Sequence, residues 1–148
     1  MGLEADAKVD LEEIRIRALL KDEMLHPSLR GEPLSRFRNG RYGNAVFEAM
    51  KIVEVEVRGA TGRREDEYGV VLMQAAFNES SGRLSRDTEG IPSRRALQNL
   101  FAGALGCFKN PDSHTERVMS GPMEAMEELL LASRLMRFVD ERRARLAG

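Results

Sequence analysis

The sequence predicts an all-α fold, a helical bundle of three long and two or three short helices. Apolar residues recur at the three- and four-residue spacing of helix faces, most clearly over 41–58, 93–108 and the segment after Pro122. The stretch Val53-Glu54-Val55-Glu56-Val57 alternates like a strand, but it continues a helical pattern with no turn before it, so it reads as helix. The composition fits an ordinary globular protein: 148 residues, 42% hydrophobic and 32% charged, enough for one domain with a real core.

Residues 1–8 read as a flexible N-terminal leader, and 9–148 as the single helical domain. Asp10 is placed to cap the first helix, with Glu13 at capping-box spacing and Leu11, Ile14, Ala18 and Leu25 on one face. His26-Pro27 ends that helix, because a residue before proline is pushed out of the α region. His26 itself then sits where a helix dipole favours a cation. Ser28 to Arg38 predicts a short helix with Leu29, Leu34 and Phe37 inward, and Asn39-Gly40 a turn.

The next helix runs from Arg41 to about Arg58, with Tyr42, Val46, Met50, Val53 and Val57 as its core stripe and the small Ala45 and Ala49 allowing close approach. Gly59-Ala60-Thr61-Gly62 closes it, and Arg63–Glu67 is a charged connection. Tyr68–Asn78, with Val70, Val71, Leu72, Met73, Ala76 and Phe77, reads as a short, heavily buried helix. Glu79–Ser93 is a polar loop of about fifteen residues, a length that makes it either functional or mobile.

Ser93 is the expected N-cap of a helix to Phe108, with Leu97, Leu100, Phe101, Ala104, Leu105 and Phe108 facing the core. Ser120-Gly121-Pro122 opens the final helix, which runs to about Arg145 with Met123, Met126, Leu129, Leu130, Ser133, Met136, Val139 and Leu146 inward.

Formal net charge is −1, so nucleic-acid contact requires a local basic patch rather than bulk charge. A lone cysteine, Cys107, excludes an intramolecular disulfide framework, and its neighbours Leu105 and Phe108 suggest a small buried residue. The acidic N-terminal residues lack the apolar run of a signal peptide, and no stretch approaches the ~18–20 apolar residues of a membrane span, so a cytoplasmic protein with no membrane partner is expected.

Chemistry points to one stretch, Phe108-Lys109-Asn110-Pro111-Asp112-Ser113-His114, which sits between two helices and brings together a cation, an amide and an imidazole. Cleavage of RNA by its own 2′-hydroxyl needs a group that moves a proton and a cation or amide that steadies charge on the phosphorane. His114 suits the first role, and Lys109 with Asn110 the second. No metal cage and no cofactor motif is evident. The spacing alone is weak, since a lone histidine after a turn is more often a surface or capping residue.

A wider pattern carries a resemblance. Leu25-His26-Pro27, Phe47-Glu48-Ala49 with Lys51 and Glu54, Leu72-Met73-x-x-Ala76-Phe77, Leu100-Phe101-Ala102-Gly103-Ala104 and Asn110-Pro111-x-x-His114 follow in order over roughly 20–140. This resembles the Ymh-type family of hypothetical or abortive-infection-like proteins, placed among the HEPN domains. The resemblance implies an all-α, HEPN-like bundle that dimerises and often acts as a metal-independent endoribonuclease in defence and toxin–antitoxin systems. RNA, a second copy of the chain, and an antitoxin or neighbouring defence protein are the partners it implies.

The HEPN signature places an arginine, a polar residue and, after a short spacer, a histidine at the start of the last long helix. Asn110 and His114 match, with four residues between Lys109 and His114, but Lys109 stands where the arginine belongs. Lysine keeps the charge and loses the planar fork that grips phosphate oxygens in pairs. Arg117 lies about a turn beyond His114 and is a potential substitute. An acidic residue on the second long helix often supports the site; Glu48 and Glu54 are the candidates, and six positions apart they face different directions. Lys51 offers either a local ion pair.

Arg134, Arg137, Arg142, Arg143 and Arg145 form the densest basic patch. Arg134 and Arg137, with Arg117, are the expected RNA contacts, against the plainer reading of a solvated face interleaved with Asp140 and Glu141. Lysine in the arginine position also supports a different function, a non-catalytic HEPN-type dimeric module that binds a partner protein or nucleic acid. A helix-turn-helix around Asn39-Gly40 is a third reading, disfavoured by the near-neutral charge.

Overall fold

The computed structural model describes the backbone of residues 2–109 and 121–147, and within those spans the side chains from residue 11 onward. Among the described residues the chain forms six α-helices and no strand: α1 (Gly2–Leu19), α2 (Glu32–Arg38), α3 (Tyr42–Thr61), α4 (Gly69–Ala76), α5 (Ile91–Phe108) and α6 (Pro122–Ala147). Two 3₁₀ turns, Asp22–Met24 and Pro27–Leu29, fill the α1–α2 connection. The all-α expectation holds, with four long helices of 18, 20, 18 and 26 residues rather than three.

The hub is α3, which packs along α6 and also meets α2, α4 and α5. Its Val46, Met50, Val53 and Val57 are fully buried, as the periodicity predicts, and so are Ala45 and Ala49. Removing two adjacent rows from water is what a helix packed on two sides requires; each large apolar side chain so buried contributes about 1.5–3 kcal/mol. The Val53–Val57 stretch is helical, and α3 ends at Thr61 where Gly62 adopts the left-handed conformation (φ 65°).

The first helix departs furthest from expectation. α1 spans Gly2–Leu19: it takes in residues 2–8 and stops at Leu19 instead of running to His26. Leu11, Ile14 and Ala18 point outward, with Leu11 62% exposed, because α1 is held mainly by polar ties. Arg17 Nη1 donates to the Arg38 carbonyl (2.8 Å), and the Tyr42 hydroxyl donates to Glu13 (3.0 Å). Leu20, Leu25 and Leu29 then enter the core from the irregular connection, and α2 is confined to Glu32–Arg38.

His26 is not a helix C-terminal residue but the cap of the second 3₁₀ turn. Its Nδ1 accepts the Ser28 N–H (3.1 Å) and its Nε2 lies 2.7 Å from Asp140 Oδ2. Since Nδ1 accepts, the proton is on Nε2 and is donated to Asp140. The backbone N–H of His26 also donates to Ser133 Oγ (2.8 Å), so one residue fastens the chain's early turn to α6 by two bonds.

Outer faces also shift. Val71 of α4 is 69% exposed while Leu72, Met73 and Ala76 are buried. α5 begins at Ile91 with Gly90 at the N-cap position, two residues before Ser93, because Pro92 fits the first turn. Cys107 is exposed, on the outer side of α5 away from buried Phe101, Ala104 and Leu105. On α6 the buried face is centred on Ala125, Leu129, Ala132, Leu135, Met136 and Val139; Met123 and Leu146 lie outside it. Ala125 and Ala132, small enough to permit close helix approach, take core positions on α6.

The segment between α4 and α5 is pinned. Leu84 is buried and its N–H donates to the Ala76 carbonyl (3.0 Å). Asn78 Oδ1 accepts from the N–H groups of Ser80 and Ser81 (2.9 and 3.1 Å), and Arg95 grips both oxygens of Glu79 (2.7 and 3.0 Å). Beneath it Phe77 stacks on Phe101, centroids 4.1 Å apart, and Phe101 meets Phe138 edge-on.

Candidate functional site

Glu54 is a buried carboxylate with three hydrogen-bond donors around it. It lies on the inward side of α3 with its side chain 5% exposed. Oε2 accepts from Lys109 Nζ (2.8 Å) and from the Gly69 N–H (2.8 Å), and Oε1 accepts from Arg58 Nη2 (3.1 Å). Arg58 is fixed in turn, its Nε donating to the Glu67 carbonyl (2.9 Å).

Each contact has a local origin. Arg58 is four residues after Glu54, so the two share a helix face. Gly69 opens α4 with φ 62°, which any residue bearing a Cβ adopts only under strain, and this turns its N–H toward the carboxylate. Lys109 follows the last turn of α5, where its N–H still bonds the Leu105 carbonyl (3.0 Å) and a cation complements the helix dipole. Three elements, α3, α4 and α5, therefore converge on one carboxylate.

Burial pushes the Glu54 carboxyl upward. The hydrogen bonds from Lys109 and Gly69, with the charges of Lys109 and Arg58, outweigh that and hold it below its ordinary value. Glu54 is thus an anion at neutral pH, and the Lys109 side chain, 12% exposed, is fixed as its counter-ion. A buried pair of this kind is costly to desolvate and costlier to break, because the partner left behind has no water to turn to.

Of the residues singled out from the sequence, the fold brings Glu54 and Lys109 together across 55 positions. Glu48 goes elsewhere: it is half-exposed on α3, and its charge acts on Arg36 of α2. Lys51 is exposed, and Glu54 takes Arg58 and Lys109 rather than Lys51. Asn110, His114 and Arg117 lie outside the described residues. Arg134 is exposed, with its guanidinium 4.1 Å over the Phe138 ring and Glu141 3.6 Å away; Arg137 is exposed too.

Arg142 and Arg143 are not free surface cations: Arg142 Nη2 donates to Glu89 (2.9 Å) and Arg143 Nη2 to Glu56 (2.8 Å). Gly69 and Arg58 were missing from the sequence reading. The i,i+4 spacing could have found Arg58; nothing local to Gly69 signals that its N–H faces Glu54. Among the described residues no three His, Cys, Asp or Glu side chains gather as a metal site would require.

A family model described as "Protein of unknown function (Hypoth_ymh)" matches residues 23–139. The chain belongs to the Hypoth_ymh family. No curated protein and no solved structure matches it. The matched span takes in Glu54 and Lys109 and begins after α1. Eight of the residues that carry the Ymh pattern, Leu25, Ala49, Leu72, Met73, Ala76, Phe77, Phe101 and Ala104, are core residues, whereas Phe47 and Leu100 are exposed. Among the described residues of this pattern, His26 and Glu54 are the buried polar ones.

Proposed function

We propose that this Hypoth_ymh protein is a HEPN-like, RNA-targeting protein of the toxin or abortive-infection type. It acts in the cytoplasm as a homodimer and cleaves RNA by metal-independent transesterification. The observation that supports this reading is the Glu54–Lys109 pair. A buried anion on α3, the second long helix, holds the cation that immediately precedes Asn110 and the residues up to His114.

In this reading Glu54 is a positioning residue. Its carboxylate takes one of the three N–H donors of Lys109, and the other two, which meet no partner among the described residues, would turn to a phosphate oxygen. The Asn110 amide donates to a second non-bridging oxygen. His114 takes the proton from the 2′-hydroxyl as that oxygen forms its bond to phosphorus. The P–O5′ bond breaks, and the returned proton caps the 5′-oxygen, leaving a 2′,3′-cyclic phosphate and a 5′-hydroxyl. Arg117, Arg134 and Arg137 neutralise flanking phosphates.

Induced expression tests the proposal in cells. The wild-type chain should arrest growth and His114→Ala should not; equal growth of the two strains would contradict it. A second reading is favoured by one specific feature. Lys109 replaces the signature arginine and is already bound to a buried carboxylate, as it would be in a non-catalytic dimeric module where the pair serves only as an internal tie. Growth arrest that survives His114→Ala would support that module instead, since its effect would arise from binding a partner protein or nucleic acid.

A further inference from the structure

A second site lies where residues 83–88 meet the end of α6. There a cleft of about 230 Å³ is lined by Arg83, Arg86, Arg142 and Arg145, with Ser85 and Asp87 at its edge. Arg142 is the deepest, its side chain 6% exposed. One of its nitrogens serves Glu89, contacting both carboxylate oxygens (2.9 and 3.2 Å). Its Nε and Nη1 are buried with no hydrogen-bond partner among the described residues, as are Arg86 Nε and Ser85 Oγ. Buried donors are almost always paired, so four unpaired atoms around one cleft need an explanation.

We propose that this cleft binds a phosphate group of a small phosphorylated ligand. Charge, donors and size of the cleft all suit a phosphate. Burial first, and then the charges of Arg142 and Arg145, hold the Arg86 guanidinium below its ordinary value, against the opposing charges of Glu89, 3.4 Å from Arg86 Nη1, and Glu141. An anion would relieve this repulsion and pair the orphaned N–H groups in the forked geometry that guanidinium offers a phosphate. The volume falls below the ~300–1,000 Å³ of pockets that enclose drug-sized molecules, so the cleft has room for one or two phosphate groups, with the rest of the ligand outside it. Asp87 opposes the anion and sets a limit on affinity.

The site draws on both sides of the family boundary. Residues 83–88 fall inside the matched span 23–139, and Arg142 and Arg145 lie just beyond it. It is separate from the Glu54–Lys109 pair and does not depend on RNA cleavage.

Calorimetric titration of the full chain with pyrophosphate at constant ionic strength tests the proposal. A saturable one-site isotherm is expected, competed by inorganic phosphate. Arg86→Gln and Arg145→Gln should each weaken binding about ten-fold or more, the loss of one charged hydrogen bond. Asp87→Asn should tighten it, an effect that a merely structural role for these residues would not produce. Circular dichroism checks that the exposed Arg145→Gln variant keeps its fold. Absence of saturable binding, or equal affinity in wild type and all three variants, would overturn the proposal. So would saturable binding of a short oligouridylate by the same arginines with no response to pyrophosphate.

Discussion

Glu54→Gln is the most informative single change to the fold, because it removes a charge and little volume. The wild-type carboxylate accepts three donors, two of them cationic, inside a site only 5% exposed. Glutamine keeps one carbonyl oxygen, which in the Oε2 position can still accept from Lys109 and Gly69, but its amide nitrogen cannot accept from Arg58 and the charge that balances both cations is gone. Losing one member of a buried ion pair costs about 3–5 kcal/mol when the partner is fully buried. Lys109 and Arg58 keep 12% and 18% exposure, so partial hydration lowers the expected cost to roughly 2–4 kcal/mol.

Urea unfolding followed by circular dichroism would measure this, with an unchanged m-value showing that the same surface is exposed. The double change Glu54→Gln with Lys109→Met should recover part of the loss, since no buried ammonium is then left unpaired. A pH series adds a sign. The folded-state value of Glu54 lies below its ordinary 4.5, so the unfolded chain binds the proton more readily, and this stability is present above that pH and lost as pH falls through and below it. The variant should lack that portion of the acid sensitivity. A cost below about 1 kcal/mol, or an identical acid profile, would refute the view that Glu54 ties α3, α4 and α5 together.

Further outcomes follow from the same contacts. His26→Ala removes the 3₁₀ cap and the Asp140 contact and should cost about 1–3 kcal/mol in urea unfolding, with His26→Asn losing less because its amide oxygen can still accept the Ser28 N–H. Leu84→Ala should cost about 2–5 kcal/mol and speed amide exchange across 78–90, because Leu84 is that segment's only fully buried apolar anchor. Gly82→Ala should lower thermal stability by an amount equivalent to about 1–3 kcal/mol, since a Cβ there would stand 2.3 Å from the Asn78 nitrogen and 2.6 Å from its carbonyl oxygen.

How far the sequence reveals this molecule depends on which force places each residue. The core stripe of α3 was legible because Val46, Met50, Val53 and Val57 are large, apolar and regularly spaced. α1 was not, since polar ties through Glu13 and Arg17 hold its described part and leave Leu11 and Ile14 outside. His26 misled because a proline after it signals a helix end, while its actual role depends on Ser133 and Asp140, more than a hundred residues away (separations of 107 and 114). Of the site, Glu54 and Lys109 could be named from their residue types and helix positions. That Glu54 rather than Glu48 meets Lys109 was settled by packing. The Arg142 cleft had no local signature at all, because it exists only where residues 83–88 lie against α6.

The central claim is RNA cleavage, and the most direct measurement is incubation of labelled total RNA and tRNA with the purified protein in EDTA. Wild type, His114→Ala and Lys109→Arg would be compared. The account predicts cleavage by the wild type with 2′,3′-cyclic phosphate ends, its loss in His114→Ala, and its increase in Lys109→Arg as the forked phosphate contact is restored. No cleavage by any of the three, or cleavage that survives His114→Ala, would contradict it.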